Sequence, residues 1–270
     1  MIAPASRIIY RQPDLCITAA YGQYLPKRFL ACPKFGTVNL HPSLLPKWRG
    51  ASPVQRSLQA GENPLGCTVL FTVSQMDAGP IIAQKEAMVD ENASALQVLP
   101  DLFALGTELL LEKLPDLLKG SITMETATPQ KDDDAVAASM IHSSEGELKL
   151  ESALVCHNQW RGFAAWPGVF LYLQVGEREP MKVKVLETRV VPDVTKEPTN
   201  IVEAGPDKKD GLWVGCLDGS VLELRIVQPA TRKAFPGRDL MNGYPGETIR
   251  WVPKPEDVES DPEKYNSRRK

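Results

Sequence analysis

Asn39, His41 and Asp77 are the side chains of this chain best equipped for chemistry. An amide NH2 is a neutral hydrogen-bond donor and a protonated imidazole is a charge-assisted one. Both suit an oxygen that gains negative charge during a reaction. A carboxylate beside the imidazole can pair with its charged form, or can take up a proton through one water. The sequence leaves both roles of Asp77 open. The chain has three histidines, and His41 stands two residues after an asparagine and directly before Pro42-Ser43-Leu44-Leu45-Pro46. Gly36-Thr37-Val38 is β-prone, so Asn39 and His41 fall at or just past the C-terminal end of a strand. Open α/β sheets gather their reacting groups there. Alternation along the strand sends both side chains to one face. Taken alone, Asn-x-His is an ordinary strand end and Ser-Leu-Leu-Pro an ordinary turn.

The elements that must hold these groups follow from the apolar pattern. Leu15 to Tyr21 is a short, almost wholly apolar run, as expected for a strand covered on both faces, and Gly22 ends it. A second strand ends near Asn39. Pro53 to Ala60 has helical spacing, with Ser52 as N-cap and Gly61 as stop. Gly66 to Val73 reads as a strand and Pro80 to Val89 as an extended segment. Ser94 to Lys119 is amphipathic and helical, with breaks expected at Pro100 and Pro115. Strands alternating with helices predict a mainly parallel α/β layer. Residues 121–147 are polar and linker-like. Beyond them a short helix, Ser152 to Phe163, precedes short strands over 168–175, 181–191, 212–217 and 220–227. Asp218-Gly219 is the hairpin turn between the last two. That pattern predicts a small β-barrel. The tail from Pro253 is charged and expected to be disordered.

Composition narrows the function classes. The chain has 270 residues, and a net charge of −3 excludes a generally basic nucleic-acid binder. From residue 151 onward Lys and Arg number 18, as do Asp and Glu, so the second half offers no bulk electrostatic attraction for RNA. Five scattered cysteines without a C-x-x-C pair read as buried thiols in a reducing compartment. No metal site is expected, since the histidines form no H-x-x-H-type pair. No apolar run reaches the ~18 residues of a membrane span, and Met1 to Gln12 has no signal-peptide core.

The run Asn39-x-His41-Pro-Ser-Leu-Leu-Pro46-x-x-Arg49-Gly50-Ala51-Ser52-Pro53-x-Gln55, followed by Met76-Asp77-Ala78-Gly79-Pro80, resembles the 10-formyltetrahydrofolate-dependent formyltransferases, nearest the branch acting on methionyl-tRNA. Pro13-Asp14-Leu15 through Tyr21-Gly22-Gln23-x-Leu25-Pro26 is similar as well. So are His157-Asn158-x-x-Arg161-Gly162, Trp166-Pro167-Gly168 and Asp218-Gly219 through Gln228-Pro229. The resemblance implies an α/β fold: a Rossmann-like formyltransferase domain over 1–124, incomplete at its N-terminus, a linker over 125–150, an OB-like tRNA-binding barrel over 151–252, and a tail over 253–270. It departs from the family where upstream strands and a tRNA-contacting loop have no match, and at Met140, where a Lys often stands.

The implied reaction moves a formyl group from 10-formyltetrahydrofolate to the α-amine of initiator Met-tRNA, without a metal and without a cysteine nucleophile. Asn39, His41 and Asp77 would be catalytic; Ser43, Leu44, Leu45, Pro46, Tyr21 and Gly22 would hold the folate. Arg49 reads as an exposed residue by a turn, and Trp160 and Trp166 as core. Other acceptors of the same chemistry (a sugar amine, a glycinamide nucleotide, water) or an inactive RNA-binding remnant are the alternatives. A monomer is expected, in the cytoplasm of a bacterium or in a mitochondrion or plastid of a eukaryote.

Overall fold

The protein is described by a computed structural model over residues 12–255. Nearly all of the N-terminal stretch Met1 to Gln12, and of the tail beyond Pro255, therefore lies outside the described residues. The chain divides into two compact units. One runs to Glu145 and takes in Arg161–Pro167; the other comprises Gly146–Trp160 and the chain from Gly168 onward.

The first unit is built on a four-stranded sheet. Strands β1 (Cys16–Ala19), β2 (Thr37–His41), β4 (Leu65–Phe71) and β5 (Ile81–Ala87) lie in the order β1-β2-β4-β5. Helix α1 (Lys27–Leu30) links the first two. Strand β3 (Lys47–Gly50) and helix α2 (Pro53–Gln59) come between β2 and β4. Every residue of β4 is buried, which is why its sequence shows no alternation. Val38, Leu40, Val69 and Phe71 from the sheet pack with Leu109, Leu110 and Leu117 of helix α3 (Ala95–Lys119). A second cluster joins Val54 and Leu58 of α2 to Leu65, Val98 and Leu102.

Two expectations fail here. The described sheet is mixed rather than mainly parallel: β1 and β2 are parallel, whereas β4 is antiparallel to both β2 and β5. The connection between β4 and β5, residues 72–80, is too short for the helical crossover that a parallel pair needs. Helix α3 is also unbroken over 25 residues although Pro100 and Pro115 lie inside it. Both prolines are on its exposed side. There the carbonyls they leave unbonded can face water, while the apolar side stays seated on the sheet. Gln97 accepts the Ser94 backbone N–H at the start of α3, and Gly120, at φ +77°, ends it.

The polar stretch after α3 is not featureless. Strand β6 (Val136–Ala138) pairs in parallel with β3 as a separate two-stranded ribbon.

The second unit is the expected barrel. After helix α4 (Ala153–Phe163) come β7 (Val169–Val175), β8 (Met181–Thr195), β9 (Ile201–Ala204), β10 (Leu212–Gly215), β11 (Ser220–Pro229), β12 (Phe235–Pro236), α5 (Asp239–Asn242) and β13 (Ile249–Val252). The order β10-β9-β13-β7-β8-β11 closes through a β10–β11 pairing into six strands. The Asp218-Gly219 turn lies between β10 and β11, with Gly219 at φ +83°. His157 is buried, hydrogen-bonded to the Thr188 hydroxyl at 2.8 Å and stacked on Trp160. Trp160 is buried as expected, but Trp166 is 55% exposed.

Burial controls the thiols. It pushes Cys67 and Cys156 up to about 12 and Cys216 up to about 11. At mildly alkaline pH the native protein is expected to show at most two rapidly alkylated cysteines, Cys16 and Cys32, against all five in denaturant. Counting the thiols labelled by iodoacetamide checks this. A third fast thiol in the native state would contradict the packing around β4, α4 or the turn after β10.

Candidate functional site

Asn39 and His41 leave the same face of β2, and Asp77 is brought to them by the 72–80 loop. That loop departs from the end of β4 beside Thr37 and Val38, so it must double back over the sheet to reach His41. Gly79 permits the turn: a Cβ there would stand 1.7 Å from the Phe71 carbonyl oxygen. The His41 Nδ1 to Asp77 Oδ2 distance is 3.7 Å, with the two side chains 5% and 18% exposed. This is an ion-pair separation rather than a hydrogen bond.

Each partner is fixed by backbone. His41 Nε2 lies 2.9 Å from the carbonyl oxygen of Trp48, so that nitrogen carries the hydrogen and donates. Trp48 sits at φ +68°, an uncommon conformation for a bulky residue, and its indole N–H donates to Glu62 at 2.6 Å. With Nε2 committed, the imidazole can offer a reacting atom only its Nδ1 side. Asp77, itself at φ +49°, accepts the Gly50 N–H on Oδ2 at 2.9 Å. Gly50 has φ +134°, and a Cβ there would lie 2.5 Å from the Ala138 carbonyl oxygen. The Arg-Gly step thus supplies a backbone donor that a larger residue could not.

Two supporting residues escaped the sequence reading. Gln130, in the segment read as linker, donates from its amide to the carbonyls of Asp77 and Gly79, both at 2.8 Å. Its own carbonyl accepts Arg49 Nε at 3.0 Å and Nη2 at 2.8 Å. Arg49 Nη1 also reaches Asp132 at 2.8 Å, and the Arg49 side chain is only 11% exposed. Arg49 is therefore an internal strut, not an exposed residue by a turn. The second is Thr18, whose hydroxyl donates to Asn39 Oδ1 at 2.8 Å. Nothing in the spacing of Gln130 signalled its role, since the bond spans 53 residues.

These groups border a cleft of about 540 Å³ within the first unit. Asn39, His41 and Asp77 line it, as do Tyr21 and Gly22 from the loop after β1 and Phe103 from α3. Ala20, at φ +50°, turns that loop. Ser43, Leu44, Leu45 and Pro46 do not line it. Ser43 and Leu45 are 3% exposed. The Ser43 hydroxyl donates to the Lys47 carbonyl, and the Ser43 carbonyl accepts from Thr68. Leu45 is bonded to Thr68 through its N–H and to Gln84 through its carbonyl. The turn anchors the strand that carries His41. Its polar atoms bond within the turn, to Thr68 of β4 and Gln84 of β5, and to Lys47 and Val136.

On the barrel, Lys182 and Lys184 alternate with buried Val183 and Val185, so both face outward on β8. The Lys182 ammonium lies 3.6 Å from the Phe170 ring centroid. Burial, then the charges of Lys184 and Lys254, hold it below its ordinary value. Three cations, the Glu147 carboxylate and an aromatic ring thus share one patch, net positive although the half-chain is neutral by count.

Both halves of the chain match known proteins. Residues 5–114 match the formyl transferase family and residues 140–245 match the formyl transferase C-terminal domain. The methionyl-tRNA formyltransferase of Enterococcus faecalis is 34% identical over 238 residues, spanning 88% of this chain and 73% of that protein. The Myxococcus xanthus enzyme of the same name is 32% identical over 233 residues, spanning 86% and 70%. Among solved structures, HypX from Aquifex aeolicus in complex with tetrahydrofolic acid is similar with a TM-score of 0.62 at 16% identity, over 88% of this chain and 39% of that one. WlaRD, a sugar 3N-formyltransferase, has a TM-score of 0.60 at 16% identity, over 80% and 73%. These two share the fold. The sequence identities carry more: this chain belongs to the methionyl-tRNA formyltransferase family of formyl-group transferases.

Proposed function

We propose that the protein transfers a formyl group from 10-formyltetrahydrofolate to the α-amine of initiator Met-tRNA. The residues through 124 would form the transfer domain, 125–150 the connection, and 151–252 the barrel that holds the tRNA. The observation that carries the reading is the meeting of Asn39, His41 and Asp77 at one cleft. Amine attack on a formyl carbon creates an oxyanion and a positively charged nitrogen. Asn39 Nδ2 has no partner among the described residues and is a free donor for that oxygen. In its imidazolium form His41 adds a second donor through Nδ1, the side turned toward Asp77. Asp77 Oδ2 is already bonded to Gly50 N–H, which leaves Oδ1 to receive the amine proton, directly or through one water.

The cleft is suited to the folate. Apolar side chains such as Leu25, Leu99 and Phe103 give it walls for a flat bicyclic ring. Tyr21 and Gly22 stand beside them. Thr72 also lines the cleft. Formylation cancels the charge of the methionyl amine, a change that marks an initiator. The basic patch around Lys182 supports the barrel's part in holding the RNA backbone.

Three measurements test the reading. In an assay with labelled formyl donor and charged initiator tRNA, Asn39→Ala and His41→Ala are each expected to lower kcat by about 10²–10³. Wild-type rates in both variants would remove the proposed roles, and transfer to an amino sugar but not to Met-tRNA would replace the acceptor. Gln130→Glu keeps the acceptor facing Arg49 but sets an oxygen against two carbonyls. It is expected to misplace Asp77 and to lower kcat by about 10–10². An unchanged kcat would show that Asp77 needs no such clamp. Replacing Lys182, Lys184 and Lys254 by Gln should weaken Met-tRNA binding and flatten its log–log salt dependence by about 0.7–0.9 for each phosphate no longer neutralised. Equal slopes in titrations of the two proteins would separate the patch from RNA binding.

A further inference from the structure

The strand β1 is apolar except for one hydroxyl, and that hydroxyl touches a residue of the proposed site. Thr18 is the register partner of Asn39 in the parallel β1–β2 pair. Its Oγ1 lies 2.8 Å from Asn39 Oδ1 and 3.3 Å from the Val38 carbonyl oxygen. A hydroxyl has one hydrogen to give, and the shorter approach is to the asparagine.

An asparagine amide is ambiguous by its chemistry. Its carbonyl edge and its NH2 edge have similar size, and rotation about the last side-chain bond interchanges them. Only the NH2 edge can stabilise an oxygen that gains negative charge; the carbonyl edge would repel it. Something must choose. Threonine is well suited to that task because branching at Cβ restricts its first side-chain torsion. Thr18 and Asn39 also both lie on paired strands, so their backbones are held in register.

We propose that Thr18 is a positioning residue that sets the polarity of the Asn39 amide. By donating to Oδ1 it turns Nδ2, with both hydrogens, toward the cleft. With the amide reversed, Nδ2 would donate to the hydroxyl oxygen and the hydroxyl hydrogen would fall on the longer, 3.3 Å approach to Val38 instead of the 2.8 Å approach to Asn39. The reversed amide would also present an acceptor to the reacting oxygen. Thr18 acts through Asn39 and not through the substrate. The inference rests on the formyl-transfer reading, but the orientation of the amide can be measured without it.

The test compares Thr18→Val, which keeps the shape and removes the hydroxyl, with Thr18→Ser, which keeps the hydroxyl. In the formylation assay, Thr18→Val is expected to lower kcat about 3- to 10-fold, the weight of one neutral hydrogen bond. KM for the folate should stay unchanged, and Thr18→Ser should recover most of the rate. In an Asn39→Ala background Thr18→Val should add nothing. A full loss in that background would mean that Thr18 contacts substrate itself, and would overturn the proposal. Independently of activity, the Asn39 side-chain NH2 signals in a nitrogen-15 NMR spectrum, identified by their absence in Asn39→Ala, should shift or broaden in Thr18→Val and not in Thr18→Ser. Identical amide signals in all three proteins would end the proposal, even if formyl transfer is confirmed. Shifted signals in a protein that transfers no formyl group would support the amide latch while removing the catalytic reading.

Discussion

The site depends on one backbone hydrogen bond, from Gly50 N–H to Asp77 Oδ2. It ties the 72–80 loop to the segment after β2, and it places a carboxylate 3.7 Å from His41 Nδ1 in a setting where both are largely buried. A carboxylate and an imidazole on separate segments would each prefer water to this arrangement. What holds them is that the polar atoms around them are bonded: His41 Nε2 to Trp48, Trp48 to Glu62, and the Asp77 carbonyl to Gln130. Leaving a buried neutral group without such a partner costs on the order of 1–3 kcal/mol, and a charged one more. The network around the site is therefore a condition of its existence.

The same logic explains the motif residues that do no chemistry. Ser43 and Leu45 bond to Thr68 of β4 and Gln84 of β5, which ties down the turn that follows His41. Gly50 and Gly79 each allow a backbone approach that a Cβ would block. Arg49 and Gln130 brace the Asp77 turn from below.

Much of this is legible in the residues themselves, for identifiable reasons. Alternation along β2 puts Asn39 and His41 on one face, and the resemblance of the Met76–Pro80 run to the formyltransferases marks Asp77 as a third member. Helix α3 and strand β8 follow from periodicity because each has a clear buried side, whereas β4, buried on both faces, is read from its continuous apolar run. The failures also have causes. Apolar run composition does not encode strand direction, so the antiparallel course of β4 is hidden. Pro100 and Pro115 look like helix breakers because the sequence does not show that both lie on the exposed side. Short strands such as Ile201–Ala204 and Ile249–Val252 carry too few residues for a period to show. Charge counting over half the chain hides the Lys182 patch, although the i, i+2 spacing of Lys182 and Lys184 on an alternating strand is there to be read.

Catalysis at this cleft would turn on asymmetry between the two edges of the Asn39 amide and between the two nitrogens of His41. One face of each group is occupied by protein, Thr18 for the amide and the Trp48 carbonyl for the ring, and the other is turned to the cleft. A crystal structure with 10-formyl-5,8-dideazafolate, a stable folate analogue that carries its formyl group on N10, tests this most directly. The ring system is expected in the 540 Å³ cleft, with the formyl oxygen within hydrogen-bond reach of Asn39 Nδ2 and His41 Nδ1. A folate bound elsewhere, or one whose formyl group approaches neither atom, would refute the proposed arrangement.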